Sequence, residues 1–292
     1  MSSYSIKDLE QLSGIKAHTL RIWEQRYNII QPKRTDTNIR TYDDQDLKLV
    51  LNISLLKDHG YKISEISKLT VEEMYQEVIK ISDRQLNYPD QIHALTISMI
   101  DLDEERFEKI ISTNILQFGF ENTMINVIYP FLSRIGTLWV TGSVGPAQEH
   151  FITNLIRQKL IVAIDGQVSK QRPNGKTYLL FLPEGELHEI SLLFANYIIR
   201  ARYNKVVYLG QNLPFNELVF AYNVHKPDYI FSAITSVPSN NEAQLYVNKL
   251  GAQFPEAQLL LTGYQMVGQD IQMPENGTIV NNIDDLIRLA SV

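Results

Sequence analysis

The sequence contains no cysteine, so disulfide bonds and metal sites built from thiolates are excluded. It also has no apolar run long enough to cross a bilayer, and no basic-then-apolar segment of the signal-peptide type at its N-terminus. These absences predict a cytoplasmic protein without a membrane partner. A metal would have to be bound by histidine or carboxylate side chains, or would have to arrive inside a cofactor.

Internal repeats and low-complexity tracts are also missing, but charge is distributed unevenly along the 292 residues. Residues 1–42 contain seven Lys or Arg and four Asp or Glu, whereas the remaining residues contain 20 basic and 29 acidic side chains. A chain of this length is expected to hold more than one domain. A basic N-terminal part in front of an acidic remainder favours a DNA-binding head followed by a sensor.

Two short helices around a glycine turn are predicted near the N-terminus. Ser5 and Asp8 match a capping box that begins the first helix, and Gly14 ends it. The second helix is predicted from about Lys16 to Tyr27, and the pair forms a helix-turn-helix. Its outward face offers side chains that can bind base edges or phosphates, namely Lys16, His18, Thr19, Arg21 and Gln25.

The segment after these helices is polar and basic, and its two possible strand edges predict a β wing over residues 31–42. Together, Thr19–Tyr27, Pro32–Arg34 and Arg40–Tyr42 resemble the winged-helix head of MerR-type transcription regulators. The resemblance covers residues 4–70 and implies a homodimer that binds double-stranded operator DNA of near-palindromic sequence.

Residue roles follow from the same resemblance. Arg21 is implied to serve the recognition helix, and the DNA backbone and the wing are implied to involve Tyr27, Arg34, Arg40 and Tyr42. The alternative is a helix-turn-helix used only for protein contacts. The head is expected to occupy residues 1–75.

The middle of the chain predicts helices of ordinary length instead of one long dimerising helix, because no sustained heptad run follows Leu69. A helical bundle over residues 76–165 is the expected arrangement. After a helix that begins at residue 43, helices are predicted at about residues 71–82, from 89, from 103, at 121–140 and at 146–164. A polar stretch with glycine and proline, residues 165–176, predicts a linker.

Short apolar runs alternate with helical segments in the last part of the chain. Strands are predicted at residues 178–182, 206–210, 229–233, 259–262 and 278–280, with helices near 189–203, 215–225, 240–252 and 284–290. This alternation predicts an α/β domain over residues 177–292, with a five-stranded parallel sheet of flavodoxin type.

A histidine lies in the loop after the first of these strands. Ligands of open parallel sheets bind at the carboxyl edge, where this loop begins. Glu186, two residues before His188, can bind the far ring nitrogen, which fixes the tautomer and makes the other nitrogen a better metal ligand. The alternative is an ordinary surface histidine.

Three motifs in this domain resemble those of cobalamin-binding α/β domains. They are Glu186-Leu187-His188-Glu189-Ile190-Ser191, Ser232-Ala233-Ile234 and Thr262-Gly263. The resemblance implies that His188 is the lower axial ligand of cobalt and that Glu186 is its hydrogen-bonding partner. Ser191 and Thr262 depart from the family pattern, since glycines leave room for the nucleotide tail at those positions.

A fourth motif lies in the helical region, where Trp139 ends one helix and Glu149 and His150 lie early in the next. By itself it could be a core tryptophan followed by a solvated Glu-His pair. The motif resembles the helical cap of light-sensing CarH-like regulators, in which the tryptophan and the glutamate cover the adenosyl group of the cofactor. In those regulators a histidine that captures cobalt after illumination follows the tryptophan, whereas this chain has Val140.

The combined architecture implies a repressor that binds adenosylcobalamin, assembles as a dimer or tetramer and is not an enzyme. One alternative is a MerR-type regulator whose sensor has lost cobalamin and responds to another ligand or a protein partner. The other is an enzyme, since cobalamin domains also serve mutases and methyltransferases, but no catalytic barrel fits into this length.

Overall fold

The computed structural model describes residues 4–35, 38–84, 88–140, 144–167, 175–236 and 240–291. The chain divides into two compact units, residues 1–155 and 156–292. No helix within the described ranges is long and apolar enough to cross a membrane. The predicted boundaries after residues 75 and 165 stay predictions, and most of the predicted linker lies outside the described residues.

The first unit begins with the predicted helix-turn-helix, formed by α1 (Ile6–Ser13) and α2 (Ala17–Tyr27). The Ser5 hydroxyl accepts a hydrogen bond from the Asp8 N–H, and the Asp8 carboxylate accepts one from the Ser5 N–H, which confirms the capping box. Gly14 ends α1 at a φ of 74°, a left-handed conformation that glycine adopts without steric cost.

The wing consists of two short antiparallel strands, β1 (Lys33–Arg34) and β2 (Arg40–Thr41), and α3 (Asp44–Asp58) follows it. The Ser54 hydroxyl donates a buried hydrogen bond of 2.7 Å to the Ser13 carbonyl oxygen. This bond ties α3 to the end of α1, so the turn before the second helix is held from inside the unit.

The helical region contains the predicted succession of helices, except that the short α4 was not predicted and one predicted helix is interrupted. Their bounds are α4 (Ile63–Ile66), α5 (Val71–Arg84), α6 (Tyr88–Asp101), α7 (Glu104–Phe118), α8 (Phe120–Thr123), α9 (Tyr129–Val140) and α10 (Pro146–Asp165). Instead of one regular helix over residues 121–140, a five-residue π-helix, Met124–Ile128, joins α8 to α9. Such π segments are frequent at functional positions.

The second unit contains a five-stranded parallel sheet with the order β4-β3-β5-β6-β7, which confirms the predicted fold. The strands are β3 (Thr177–Pro183), β4 (Lys205–Leu213), β5 (Tyr229–Ala233), β6 (Gln258–Thr262) and β7 (Gly277–Ile279). The helices are α11 (Ile190–Ala201), α12 (Phe215–His225), α13 (Asn240–Gln253) and α14 (Ile283–Ser291). Because β3, β5 and β6 are neighbours, the loops that follow them meet at one carboxyl edge.

Candidate DNA-binding surface and cofactor site

The candidate DNA-binding surface begins on α2. Its exposed side chains are Lys16, His18, Arg21 and Gln25, and Thr19 is half-buried. Glu10 of α1 organises the start of this helix, because its carboxylate accepts a hydrogen bond of 3.1 Å from the Ala17 N–H and pairs with Lys16 at 3.1 Å. The bond from the Ala17 N–H, and then that from Lys16, lowers the pKa of Glu10. Lys16 therefore has a counter-charge before any DNA is bound.

The two arginines implied for the wing have different surroundings. Arg34 is exposed, and its guanidinium donates to the side-chain oxygen of Asn38 at 2.8 Å. Arg40 is half-buried and donates to the Glu24 carboxylate of α2 over 3.1 and 3.3 Å, and this bonding raises the pKa of Arg40. Arg40 thus ties the wing to the recognition helix.

The two tyrosines implied for the DNA backbone also differ. Tyr42 is only 3% exposed, its backbone pairs with Tyr4, and burial raises the pKa of its hydroxyl. The ring of Tyr42 therefore packs inside the head, and its implied contact with the DNA backbone stays a prediction. Tyr27 is half-buried at the end of α2, and the Arg26 guanidinium lies 5.4 Å from its ring centroid.

The predicted cap residues lie on α9 and α10. Trp139 and Val140 are the last two residues of α9, and their side chains lie outside the part of the chain that is described. Glu149 and His150 follow the start of α10, where His150 Nε2 is 3.3 Å from Glu149 Oε2. The Glu149 side chain is 25% exposed and that of His150 is 73% exposed. A common face for the tryptophan and this pair stays a prediction.

The loop between β3 and α11 presents His188 at the carboxyl edge of the sheet, where its side chain is 52% exposed. Glu186 of the same loop is 4% exposed, and its Oε1 lies 2.5 Å from His188 Nδ1. The loop is itself fixed, because the Glu186 N–H donates to the Pro183 carbonyl oxygen and the Gly185 N–H donates to the side-chain oxygen of Asn212. The structure therefore brings together the acid and the histidine that the sequence singled out.

Backbone donors surround the Glu186 carboxylate. It accepts hydrogen bonds from the His188 N–H at 3.0 Å, the Thr235 N–H at 2.8 Å and the Ser236 N–H at 2.7 Å. Burial by itself would raise the pKa of Glu186, but the bond from the His188 ring and these backbone bonds lower the pKa to about 2. Glu186 is therefore a carboxylate at neutral pH, and it requires His188 Nδ1 to be the protonated ring nitrogen.

Ser236 is a member of this group that the sequence reasoning missed. Its hydroxyl lies 3.0 Å from His188 Nδ1 and 3.3 Å from Glu186 Oε1. The only signal in the sequence is its place in the loop after β5, two residues beyond Ile234. Nothing in the spacing along the chain shows that this loop comes back to the histidine.

The remaining predicted residues lie at the same sheet edge. The Ser191 hydroxyl donates to the His188 carbonyl oxygen at 3.5 Å. Thr262 ends β6, and its hydroxyl donates to the Val280 carbonyl oxygen at 2.7 Å. Ser232 is fully buried in β5, and its hydroxyl has no hydrogen-bond partner among the residues that the structure describes.

Gly263 occupies a place where no other residue fits. A Cβ atom there would lie 2.4 Å from the Ile234 carbonyl oxygen, and its φ of 103° is in the region that favours glycine. Ile234 is fully buried and donates its N–H to the Thr262 carbonyl oxygen. The second glycine of the family pattern is thus required by the close approach of two loops.

These residues fit cobalamin in three respects. His188 has its Nδ1 bonded to Glu186, so Nε2 is the ring nitrogen that would bind cobalt. The buried Ser232 hydroxyl needs a polar partner. A cavity of about 530 Å³ adjoins the loop, with Glu186, Ile234 and Ser236 in its lining.

Comparison with known families matches the DNA-binding head and the helical region, and curated relatives align over most of the chain. Residues 4–72 match the family of MerR HTH regulatory proteins, and residues 91–163 match the B12 binding domain. The chain is 28% identical over 234 residues to the HTH-type transcriptional repressor CarH of Myxococcus xanthus, which covers 78% of this chain and 77% of that protein. It is 25% identical over 227 residues to the repressor CarA of the same organism, with coverages of 77% and 74%.

The fold also has a solved counterpart. The monomethylamine corrinoid protein of Methanosarcina barkeri superimposes with a TM-score of 0.54 at 11% identity, over 66% of this chain and 93% of that one. This likeness concerns the fold alone. The two family matches show a MerR HTH domain at residues 4–72 and a B12 binding domain at residues 91–163.

Proposed function

We propose that this DNA-binding transcription regulator is a repressor whose assembly and DNA binding are controlled by adenosylcobalamin and by light. Its B12-binding domain and its likeness to the repressor CarH over most of both chains support the proposal. The observation that carries it is the bonded pair of Glu186 and His188 at the sheet edge. The chain is not an enzyme, in agreement with the curated relatives, which are named as transcription regulators.

Each residue of the site has one task in this proposal. His188 would bind cobalt through Nε2, and Glu186 would hold its tautomer and ring orientation. Ser232 would bond to a polar group of the nucleotide tail, and Ser191, Ile234, Thr262 and Gly263 would line the space beside it. When bound, the cofactor supplies a cobalt–carbon bond that visible light breaks.

The upper face of the cofactor is assigned to the helical region. Trp139 and Glu149 would cover the adenosyl group, with His150 beside them. Loaded protomers would then assemble as dimers or tetramers and present several heads to one operator. Such assembly raises the apparent affinity for DNA through effective concentration, without any new base contact.

A DNA-binding experiment tests the proposal. Fragments are selected from random-sequence DNA with protein that has been loaded with adenosylcobalamin in the dark. Their dissociation constants are then measured for cofactor-free protein, dark-loaded protein and loaded protein after illumination. The proposal expects the tightest binding for the dark-loaded form, and equal affinities for all three forms would contradict it.

A second candidate is a MerR-type regulator whose sensor responds to something other than cobalamin. Thr262 favours it, because a β-branched side chain bonded to Val280 occupies a position where the family has glycine. An absorption titration separates the two candidates. Cofactor spectra that do not change when protein is added, at any cobalamin concentration tested, would favour the second.

A further inference from the structure

Glu189, the residue directly after His188, has two bonds that the proposed function does not use. Its Oε1 accepts a hydrogen bond from the Tyr208 hydroxyl of β4 at 2.9 Å. Its Oε2 accepts one from Arg157 Nε of α10 at 2.8 Å. We call Arg157, Glu189 and Tyr208 the Glu189 clasp. The clasp joins the loop of His188 to strand β4 and to helix α10.

The Glu189 end of the clasp is largely shielded from solvent, whereas its Arg157 end is open: the Glu189 side chain is 11% exposed, and that of Arg157 is 47% exposed. A shielded carboxylate is costly unless its oxygens are bonded, so removal of either partner leaves one of its two oxygens without that bond. Burial, and then the nearby Glu189, raises the pKa of Tyr208, so its phenol stays a donor at every physiological pH.

His188 therefore lies between two anchored acids. Glu186, before it, binds the imidazole ring and the loop after β5. Glu189, after it, directly precedes α11 and donates its N–H to the carbonyl oxygen of Leu187, the residue before the histidine. The first acid fixes the direction of the ring, and the second fixes where the backbone of the histidine lies. A metal ligand needs both a fixed ring direction and a fixed backbone position, because a displacement of about 1 Å in its supporting groups is enough to impair a metal site.

We propose that Glu189 is a positioning residue that holds the loop of His188 in its cobalt-binding position by bonding α10 through Arg157 and β4 through Tyr208. This inference rests on the proposed function, since it presupposes cobalt ligation by His188. It goes beyond that function by giving the part of α10 that belongs to the second unit a direct bond to the loop of His188. Ligation of cobalt and the position of that part of α10 are then linked.

The test uses the full chain, labelled with ¹⁵N only in histidine and loaded with the cobalt(II) form of cobalamin. In electron paramagnetic resonance, one axial ¹⁴N splits the cobalt lines into triplets and one axial ¹⁵N splits them into doublets. Doublets therefore report a protein histidine, and triplets report the benzimidazole of the cofactor. The parent protein should give doublets, and labelled His188→Ala should lose them.

The clasp variants are Tyr208→Phe, which removes one hydroxyl, and Arg157→Gln, which removes the charge. The control is Tyr229→Phe, because Tyr229 begins β5 at the opposite, amino edge of the sheet and stacks on Tyr178. Both clasp variants should lose part of the doublet signal and bind cobalamin about 10-fold more weakly, at the lower end of the effect of groups that support a metal ligand. The control should match the parent protein.

Each outcome decides something. Clasp variants that keep the full doublet signal and the parent affinity would show that the clasp only holds α10 in place, and the inference would be overturned. Doublets absent from the parent protein would overturn the proposed ligation by His188 and this inference together, a result that cannot be confused with the first. If Arg157→Gln melts well below the parent protein, Tyr208→Phe, the smaller change, decides alone.

Discussion

Charged side chains are partnered differently in the DNA-facing head and at the sheet edge of the second unit. In the head, the pairs of Lys16 with Glu10 and of Arg40 with Glu24 join side chains that are at least partly exposed. At the sheet edge, Glu186 is 4% exposed and accepts backbone bonds from two loops. We therefore expect DNA affinity to be a sum of small, salt-sensitive terms, and cofactor binding to depend most on one preorganised group.

The largest effect is expected for His188→Ala, because this change removes the nitrogen that is proposed to bind cobalt. Cobalamin affinity should fall by more than about 100-fold, beyond the usual range for groups that only support a ligand. The circular dichroism of the cofactor-free protein should not change, since the side chain is 52% exposed. Calorimetric titration measures the affinity, with the exposed His225→Ala of α12 as the matched control.

Glu186→Gln should have the next largest effect, about 10–100-fold in cobalamin affinity. The amide keeps the size of the side chain but loses the charge that orients the His188 ring. The same calorimetric titration applies. An affinity equal to that of the parent protein would mean that the Thr235 and Ser236 N–H groups organise this loop without needing a carboxylate.

Arg21→Ala tests the DNA-facing head. Arg21 is exposed on α2, and a base-reading arginine contributes on the order of 1–3 kcal/mol to discrimination. The variant should bind the selected operator more weakly and lose sequence preference, as measured by competition against scrambled DNA. Weakening by the same factor on both DNAs would assign Arg21 to the phosphates instead.

Arg34→Ala should give the smallest effect. The side chain is exposed on the wing, so its loss should weaken binding to all sequences alike and lower the salt slope of log K by about one unit. Arg40→Ala is compared with Arg34→Ala, since it removes a wing arginine and also breaks the ion pair with Glu24. If the wing depends on that pair, Arg40→Ala should weaken binding more than Arg34→Ala does. Filter-binding isotherms over a series of salt concentrations measure both.

Local features of the chain could be predicted from the sequence, whereas features that depend on distant partners could not. Capping boxes and the alternation of strands and helices are local, so Ser5, Gly14 and all five strands of the second unit were predicted closely. The π-helix Met124–Ile128 was missed, because apolar periodicity shows which face is buried and not which carbonyl each N–H reaches.

Contacts between residues that are far apart in sequence could not be predicted either. Ser236 meets His188 only because β3 and β5 are neighbours in the sheet. Arg157 meets Glu189 from α10, 32 residues earlier in the chain. The burial of Tyr42 was not foreseen for a related reason, since burial of a tyrosine depends on what packs against it and not on its neighbours in sequence.

Gel filtration with absorption recorded along the profile tests the central claim most directly. Cofactor-free protein, protein loaded with adenosylcobalamin in the dark, and the same sample after illumination are compared. The account predicts that cofactor elutes with a larger assembly in the dark, and that light shifts the protein to a smaller species that loses cofactor on the column, because Val140 offers no nitrogen to cobalt. Identical elution of all three samples, without cofactor in the protein peak, would contradict it.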